Sequence, residues 1–320
     1  MICKTLHKGQ WHSAPLNNLI DKLYVEGLKP KLSNLDAAER VITVSDNGEL
    51  LGFVAIYLNK SYSQHLILGN FECQNNPEIA QLLFAEAKKL AKQANCTSLL
   101  GPMNGNTWHT YRYSTLDNDP FVMETIHQPY YLDLWHQYGF ESFANYQTNI
   151  EKLNPKIQLA EVKEFLATRN LSIRNFSMSN APTELNLLHS FCSELFTNNV
   201  LFSNISLKKF VALYEPILPL LDENLIDFVL DGDQVVGLLF AVKNHYDPKQ
   251  VIVKTLARNP LEKYKGLANV MASHFYKKAL NLGYQSMLHA YFHVDNQSSN
   301  VSSNYGGKVY QKHVLLKLDL

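Results

Sequence analysis

The stretch that most constrains the fold of this chain is residues 251–282, which combine a strand, a basic turn and a helix. The apolar, β-branched start at 251–253 predicts a short strand, and the sequence Arg-Asn-Pro at 258–260 ends it. Beyond Gly266, apolar residues recur at three- and four-residue spacing, which predicts a helix. This part of the chain is therefore expected to fold as a strand–turn–helix unit.

The turn before this helix has the chemistry of a phosphate-binding loop. The first N–H groups of a helix have no partner within it, and the helix dipole favours anions at that end. Gly266 has no Cβ to obstruct an approach to the backbone, and Lys263 and Lys265 add positive charge. The same pattern also occurs in α/β structure that binds nothing, so the loop alone leaves both interpretations open.

The loop also resembles a known motif. Lys263-x-x-Gly266-x-Ala268 is similar to the pyrophosphate loop of the GNAT N-acetyltransferase superfamily, whose pattern is Gln/Arg-x-x-Gly-x-Gly/Ala. Lys replaces the first Gln/Arg here, and Tyr264 stands where many members have Gly. The elements around the loop resemble those of the family over residues 172–320, including a hairpin at 226–242, a strand at 285–293 and a last helix at 296–304.

The resemblance implies a cosubstrate, which is acetyl-CoA or another acyl-CoA, and transfer of its acyl group to an amine. It implies cofactor-binding residues on the strand, in the loop and at the starts of two helices: Thr255, Leu256, Ala257, Lys263, Tyr264, Lys265, Gly266, Leu267, Ala268, Asn269 and Asn296.

The first part of the chain repeats the same order of elements. An Asn47-Gly48 turn between two apolar runs predicts a hairpin, and a strand, a helix from Pro77, a strand, a short helix and a final strand follow up to residue 150. Together with the order at 226–318, this predicts an α/β fold with a mixed sheet in two tandem GNAT-like acyl-CoA N-acyltransferase domains. The expected boundaries are 1–151 for the first domain, 152–171 for a linking helix and 172–320 for the second domain.

The first domain resembles bacterial tandem GNAT-like proteins at 71–73, 101–104 and 129–131, but it lacks the phosphate loop. Its equivalent segment, 71–77, contains no Gly, Lys or Arg, and Glu72 would repel a phosphate. Cofactor binding is therefore expected in the second domain alone.

Acyl transfer requires a base for the amine and often an acid for the leaving thiolate. GNAT members often use a Tyr on the last helix as the acid, and here that position falls at about Ser303, with Tyr305 close by as a substitute. His289, Tyr291 and His293 alternate along the predicted strand, so they are expected to share one face and to serve in catalysis. Structural packing of these rings is the alternative.

A polar and aromatic segment at 104–113 is the predicted acceptor site, because loops beyond strand ends often bind ligands in open α/β sheets. Glu124 is a further carboxylate expected to face the same cleft. The predicted substrate-binding residues are Asn104, Trp108, His109, Tyr111, Arg112 and Glu124. The alternatives are an interdomain interface for the segment and a surface ion pair for Glu124.

The composition excludes several classes of protein. Lys and Arg number 29, as do Asp and Glu, so the net charge gives no electrostatic case for nucleic acid or an anionic membrane. The four cysteines are far apart, which speaks against a metal site or a disulfide framework. No signal peptide or membrane span is expected, and a cytoplasmic location fits.

Two functions compete with the acyltransferase prediction. The missing tyrosine and the altered first loop favour a non-catalytic protein that binds CoA, a metabolite or a partner. Peptidyl transfer from aminoacyl-tRNA would require a large basic face, and the even charge argues against it. The expected acceptor is a small amine or an amino-acid-like molecule, and a homodimer is compatible with the sequence.

Overall fold

A computed structural model describes residues 1–156, 161–295 and 298–320 of the chain, which form a mixed α/β fold. The strands are β1 (Ile2–His7), β2 (Arg40–Asp46), β3 (Glu49–Tyr57), β4 (His65–Cys73), β5 (Ser98–Gly101), β6 (Tyr113–Ser114), β7 (Glu141–Lys152), β8 (Leu171–Asn175), β9 (Ile226–Asp231), β10 (Gln234–Lys243), β11 (Gln250–Arg258), β12 (Ser286–His293) and β13 (Lys308–Asp319). The α-helices are α1 (Ser13–Leu23), α2 (Pro77–Gln93), α3 (Tyr131–Gln137), α4 (Val162–Thr168), α5 (Ala181–Leu195), α6 (Leu207–Tyr214), α7 (Leu267–Asn281) and α8 (Ser298–Asn304).

Local sequence signals explain the best-predicted elements. The β2–β3 turn has Asn47 at φ 49° and Gly48 at φ 84°, and these two left-handed residues match the twist of an antiparallel hairpin. Helix α2 begins at Pro77, and the Asn76 side chain accepts a hydrogen bond from the N–H of Glu78. The predicted hairpin and the predicted helix are both confirmed.

The strands form one continuous sheet rather than one sheet for each half of the chain. Among the described residues its order is β1-β2-β3-β4-β5-β13-β7-β12-β11-β10-β9-β8, and β6 pairs with β13 outside this path. The pairs β4–β5 and β11–β12 are parallel, and the other pairs are antiparallel.

The last strands of the two halves are exchanged in this sheet. Strand β13 lies between β5 and β7, with Leu316 opposite Gly101 on one side. Strand β7 in turn lies against β12, with Ile150 opposite Leu288. The sheet therefore crosses the predicted boundaries at 151 and 172, which stay predictions, and helix α4 lies in the segment predicted as a linking helix.

Helices cover both faces of the sheet, and apolar side chains fill the layers between. In the first half, α2 and α3 cover one face around Phe84 and Trp135, and α1 covers the other. In the second half, α5 and α6 pack on a face that includes Phe240, which we call the α5/α6 face. Helices α4 and α7 pack on the opposite face around Phe275, which we call the α7 face.

Candidate active site

Strands β11 and β12 separate inside the sheet and leave a wedge-shaped opening. They pair from Gln250–Ser286 to Val253–His289. Beyond Val253, strand β11 continues to Arg258 with hydrogen-bonded neighbours on β10 alone. Within the described residues, the side of 254–258 that faces β12 is therefore an unpaired strand edge. We call this opening the second wedge.

Helix α7 begins at the outer end of the second wedge, as the sequence predicts. Gly266 is its N-cap residue at φ 89°, and no side chain caps the helix. A Cβ at Gly266 would lie 3.3 Å from Cε2 of Phe165 on α4, so one side of the loop is already covered. The first N–H groups of α7 remain directed out of the helix, where an anion can accept from them.

The charged residues of this loop are held by carboxylates. The Nζ atom of Lys263 lies 2.9 Å from Oδ2 of Asp231, and the hydroxyl of Tyr264 donates to the same oxygen. The Nζ atom of Lys265 lies 3.0 Å from Oε1 of Glu262. Backbone amides rather than free lysine charges are thus the groups of the loop that remain available to an anion. Asn296, also predicted to bind the cofactor, lies outside the described residues.

The first half contains a corresponding opening between β4 and β5, the first wedge, but side chains fill it. Strand pairing ends at Ile67–Leu100. Beyond it, Oδ1 of Asn104 accepts from the N–H of Asn70 at 2.7 Å, and the hydroxyl of Tyr131 accepts from the N–H of Cys73 at 3.0 Å. The backbone groups that a bound chain would use are already satisfied.

Arg112, a predicted acceptor residue, lies buried in a cage of tyrosine rings. Its guanidinium carbon is 4.0 Å from the ring centre of Tyr111, 4.6 Å from Tyr146 and 3.8 Å from Tyr291. Its Nη1 atom donates to the hydroxyl of Tyr111. Tyr146 belongs to β7 and Tyr291 to β12, so Arg112 ties the first half to the second through cation–π contacts.

Trp108 and His109 lie where the same loop meets the helices of the second half. The indole N–H of Trp108 donates to the carbonyl of Ser203, and its ring packs edge-on against Phe210 of α6. Burial, with a smaller contribution from Lys209, lowers the pKa of His109. These contacts join the two halves, which was the alternative interpretation of the segment.

A cavity of about 340 Å³ lies beside this cluster, and Asn104, Tyr111 and Glu124 line it. The Glu124 side chain is 3% exposed, and its Oε1 atom has no hydrogen-bond partner. Burial raises the pKa of Glu124 to about 7, although the N–H of Phe121 and the charge of Arg112 oppose the shift. A buried carboxylate that faces a cavity can accept a proton or a hydrogen bond from a ligand.

His313 and Tyr291 connect Glu124 with the second wedge. The Nδ1 atom of His313 is 3.8 Å from Oε1 of Glu124, and its ring centre is 4.9 Å from that of Tyr291. Burial and the charge of Arg112 lower the pKa of His313 to about 2, so this imidazole is neutral. Tyr291 lies two residues past the last β11–β12 pair, at the edge of the wedge.

The residues predicted as catalytic do not share one face of β12. His289 lies opposite Val253, which belongs to the α7 face, and its Nε2 is 3.5 Å from Oε1 of the buried Glu151. Tyr291 instead packs against the α5/α6 face. The shared-face prediction is wrong because the β12–β7 register shifts between His289 and Phe292, which interrupts the alternation.

His293 and Tyr305 lie farther from the wedge. The ring of His293 packs edge-on against Tyr146, and its Nδ1 is 3.6 Å from Oδ2 of Asp295. The hydroxyl of Tyr305 bonds to Oγ of Ser273 and donates to the carbonyl of Asn269, both on α7. The catalytic roles of these side chains stay predictions.

The site includes four further residues that the sequence did not indicate as functional groups. Lys254 lies at the inner end of the second wedge, and Glu151 lies beside His289. His313 contacts Glu124, and Glu72 lines the cavity. Lys254 carried a visible signal, because it is the one charged residue in the otherwise uncharged run at 251–257.

Two further features concern the described residues as a whole. Within the described residues, no three or more His, Cys, Asp or Glu side chains are grouped as metal ligands would be. No helix in the described part of the chain combines the length and apolar character needed to cross a membrane.

Comparisons with solved structures identify the fold. The chain superposes on the GCN5-related glucosamine N-acetyltransferase region of a fungal multi-domain β-N-acetylglucosaminidase with a TM-score of 0.61 and 13% identity, covering 99% of this chain and 38% of that one. It superposes on a tandem GNAT protein from the clavulanic acid biosynthesis pathway with a TM-score of 0.58 and 11% identity, over 99% of this chain and 98% of that one. A GNAT-family acetyltransferase from Colwellia psychrerythraea gives 0.53 at 11% identity, over 100% of both chains.

These similarities show a tandem GNAT fold, as predicted. The chain spans 38% of the length of the fungal protein, so that protein as a whole is no guide to this one. No protein-family model matches the sequence, and no curated protein matches it.

Proposed function

We propose that this tandem GNAT-fold chain is an acyl-CoA-dependent N-acyltransferase that binds its cosubstrate in the second half. Acetyl-CoA is the cosubstrate that we expect, and the acceptor is a small amine that enters the cavity beside Glu124. The proposed activity requires a compartment that contains acyl-CoA, such as the cytoplasm. A homodimer stays a prediction.

The observation that carries this proposal is the unpaired edge of β11 at 254–258, which leads from the start of α7 into the sheet. The pantetheine arm of CoA is an extended chain with two amides, and such a chain can add to a free strand edge through main-chain hydrogen bonds. Its phosphates would lie at the N-terminus of α7, where Gly266 leaves the backbone accessible. The thioester then reaches the inner end of the second wedge.

The cavity supplies groups that suit an amine. An ammonium can donate to the unpartnered Oε1 of Glu124, and the faces of Tyr111 and Tyr113 offer cation–π contacts. Because the pKa of Glu124 is about 7, its carboxylate can take a proton from the amine near neutral pH. Tyr291 lies between this cavity and the second wedge, which makes it the best placed of the predicted catalytic residues.

A non-catalytic CoA-binding protein is the second candidate, and specific contacts favour it. Lys263 and Lys265 are held in ion pairs, and Phe165 covers one side of Gly266. The hydroxyl of Tyr305 is bonded to α7. In this alternative the protein binds CoA without transferring an acyl group.

The test combines a binding and a turnover measurement on the full chain. Calorimetric titration with CoA should give one equivalent per chain, and thiol release from acetyl-CoA should rise when small primary amines are added. Glu124→Gln should lower kcat/KM at least about tenfold while CoA affinity stays unchanged, since only the amine loses its proton acceptor.

The matched control is Glu39→Gln, which changes an exposed carboxylate of the same half. Binding of one CoA without turnover on any amine would favour the second candidate. Two equivalents of CoA, or none, would contradict the proposed cosubstrate site.

A further inference from the structure

Lys254 lies at the point where β11 leaves β12 and forms a bulge against β10. The last pair with β12 joins Val253 to His289, one residue before it. On the other side, Thr255 lies opposite Phe240 and Val253 opposite Ala241, so Lys254 has no partner on β10. Such a bulge redirects the side chain of the extra residue.

The Lys254 side chain lies over the α5/α6 face, where no carboxylate within the described residues forms an ion pair with it. Its Nζ atom is 5.7 Å from the ring centre of Tyr214 on α6 and 5.9 Å from that of Phe240 on β10. The charges of Cys192 on α5 and of Arg112 from the first half act on this amine. Within the described residues, Lys243, Lys263 and Lys278 of this half each pair with an Asp, and no ion pair includes Lys254.

The surroundings of Lys254 shift its amine toward the neutral form. The side chain is exposed to water on one side, and the rings of Tyr214 and Phe240 lie beside its Nζ atom. Desolvation by these surroundings lowers the pKa of Lys254, the charge of Arg112 lowers it further, and Cys192 opposes the shift. Burial raises the pKa of Cys192 itself to about 12, so its thiol stays neutral and is a weaker candidate nucleophile than the Lys254 amine.

The proposed cosubstrate position brings a thioester to this amine, and the inference therefore rests on the proposed function. With phosphates at Gly266 and the pantetheine arm along 254–258, the arm passes five residues of extended strand, whose four steps span about 13 Å at ~3.3 Å per residue. Its sulfur end then lies at the inner end of the second wedge. Lys254 is the residue at that end.

We propose that Lys254 is a self-acylation site, at which the chain transfers the acyl group of its own bound acyl-CoA to Nζ. The lone pair of neutral Nζ attacks the thioester carbonyl carbon and forms a C–N bond. The C–S bond breaks, CoA leaves as its thiolate, and the proton lost by the nitrogen ends on that sulfur. The product is an amide at Lys254 and free CoA, with no oxidant or reductant required.

The experiment follows acetylation of individual lysines by peptide mass spectrometry after the full chain is incubated with acetyl-CoA. The control is Lys277, an exposed lysine on α7 that reports reaction with acetyl-CoA from solution. Lys254 should be acetylated at least about tenfold faster than Lys277. Excess CoA should slow the reaction of Lys254 and leave that of Lys277 unchanged, because it competes for the bound cosubstrate.

A second measurement separates this inference from the proposed function. Calorimetry on the same sample gives CoA binding, and Lys254→Arg should keep that binding while losing the fast-acetylated peptide. Equal rates at Lys254 and Lys277 in a chain that binds CoA would overturn self-acylation and leave the proposed function standing. Absence of CoA binding would overturn both.

Discussion

The first and second wedges open at the same position in the two halves and differ in what fills them. In the first, the side chains of Asn104 and Tyr131 bond to the N–H groups of β4. In the second, the corresponding edge of β11 has no partner from β12 within the described residues. The comparison shows that the same opening in one fold can be filled by the chain's own side chains or left with an unpaired strand edge.

The helices that begin beside the two wedges also differ in whether a side chain of the protein satisfies their first N–H groups. Helix α2 has Asn76 at its N-cap, and that side chain accepts from the N–H of Glu78. Helix α7 has Gly266 there and no side-chain cap. A capped terminus with a carboxylate in its first turn is a poor site for phosphate, whereas an uncapped terminus at a glycine is accessible.

The largest effect is expected from closing the second wedge at its outer end, where α7 begins and where the phosphates of CoA are proposed to bind. Gly266→Val adds a side chain at φ 89° and places a Cβ 3.3 Å from Phe165, so the loop must move and the amides lose their position. CoA affinity measured by calorimetry should fall at least about 100-fold, or about 2.7 kcal/mol.

Gly283→Val is the matched control for this change. It has φ 87° at the other end of α7, with nothing within 4 Å of the added Cβ, so it introduces similar backbone strain away from the loop. Its CoA affinity should equal that of the wild-type chain. An equal loss of CoA affinity in both variants would show that the effect comes from lower stability of α7. It would contradict the view that the uncapped loop at Gly266 distinguishes the second wedge from the first.

The next effect concerns Glu72, a buried carboxyl of the first wedge. Burial raises its pKa to about 8, while Tyr131 lowers it by donating a hydrogen bond at 2.7 Å. The unfolded chain releases this proton near pH 4.3, whereas the folded chain keeps it to about pH 8. Folding stability from this group is therefore present at low pH and is lost as pH rises through that window.

Glu72→Gln removes this titration, so the folding stability of the variant should rise relative to that of the wild-type chain by about 2.5 kcal/mol between pH 5 and pH 7. Denaturant unfolding across this range measures the difference, and Glu39→Gln is the exposed control. A constant difference across the range would mean that Glu72 is already ionised in the fold, and the first wedge would then resemble a charged ligand site.

A smaller effect is expected from removing one hydroxyl that fills the first wedge. Tyr131→Phe leaves the N–H of Cys73 and an oxygen of Glu72 without their partner, which should cost about 1–2 kcal/mol of folding free energy. CoA affinity should not change, because the second wedge is untouched. Tyr138→Phe, on the residue that caps the same helix, is the control. A gain of CoA binding would show that the hydroxyl alone keeps the first wedge closed.

The smallest effect is expected from the lysines of the loop. Lys263→Ala breaks an exposed pair with Asp231 and should change folding stability by less than about 1 kcal/mol. CoA affinity should fall no more than about threefold, since backbone amides hold the phosphates. A larger loss that disappears at high salt would instead assign the anion site to lysine charge.

Local signals made the elements of each half predictable from the sequence. The order of the strands in the sheet was not predictable, because it depends on long-range pairing. The Asn47-Gly48 turn and the start of α2 follow from residues adjacent in sequence. The exchange of β7 and β13 does not, because an alternating strand can pair with any neighbour that offers a compatible face. Strand β1 was not predicted, since residues 1–40 gave no clear periodicity beyond α1.

The candidate site likewise contains features that a local motif predicts and features that arise only in the folded sheet. Gly266 carried a local signal that the structure matches with a left-handed N-cap. The bonds from Asn104 to Asn70 and from Tyr131 to Cys73 join residues 34 and 58 positions apart, so they follow from the folded sheet and not from any motif. The bulge at Lys254 is likewise a property of the β10–β11 register.

The exchange of strands has a consequence for synthesis on the ribosome. Strand β13, at 308–319, fills the gap between β5 and β7, and it is translated after every other strand of the described chain. Until it emerges, β5 and β7 each expose a strand edge that β13 covers in the folded sheet, while many domains already fold during synthesis. Those edges therefore stay open to pairing with another molecule until translation of the second half is complete.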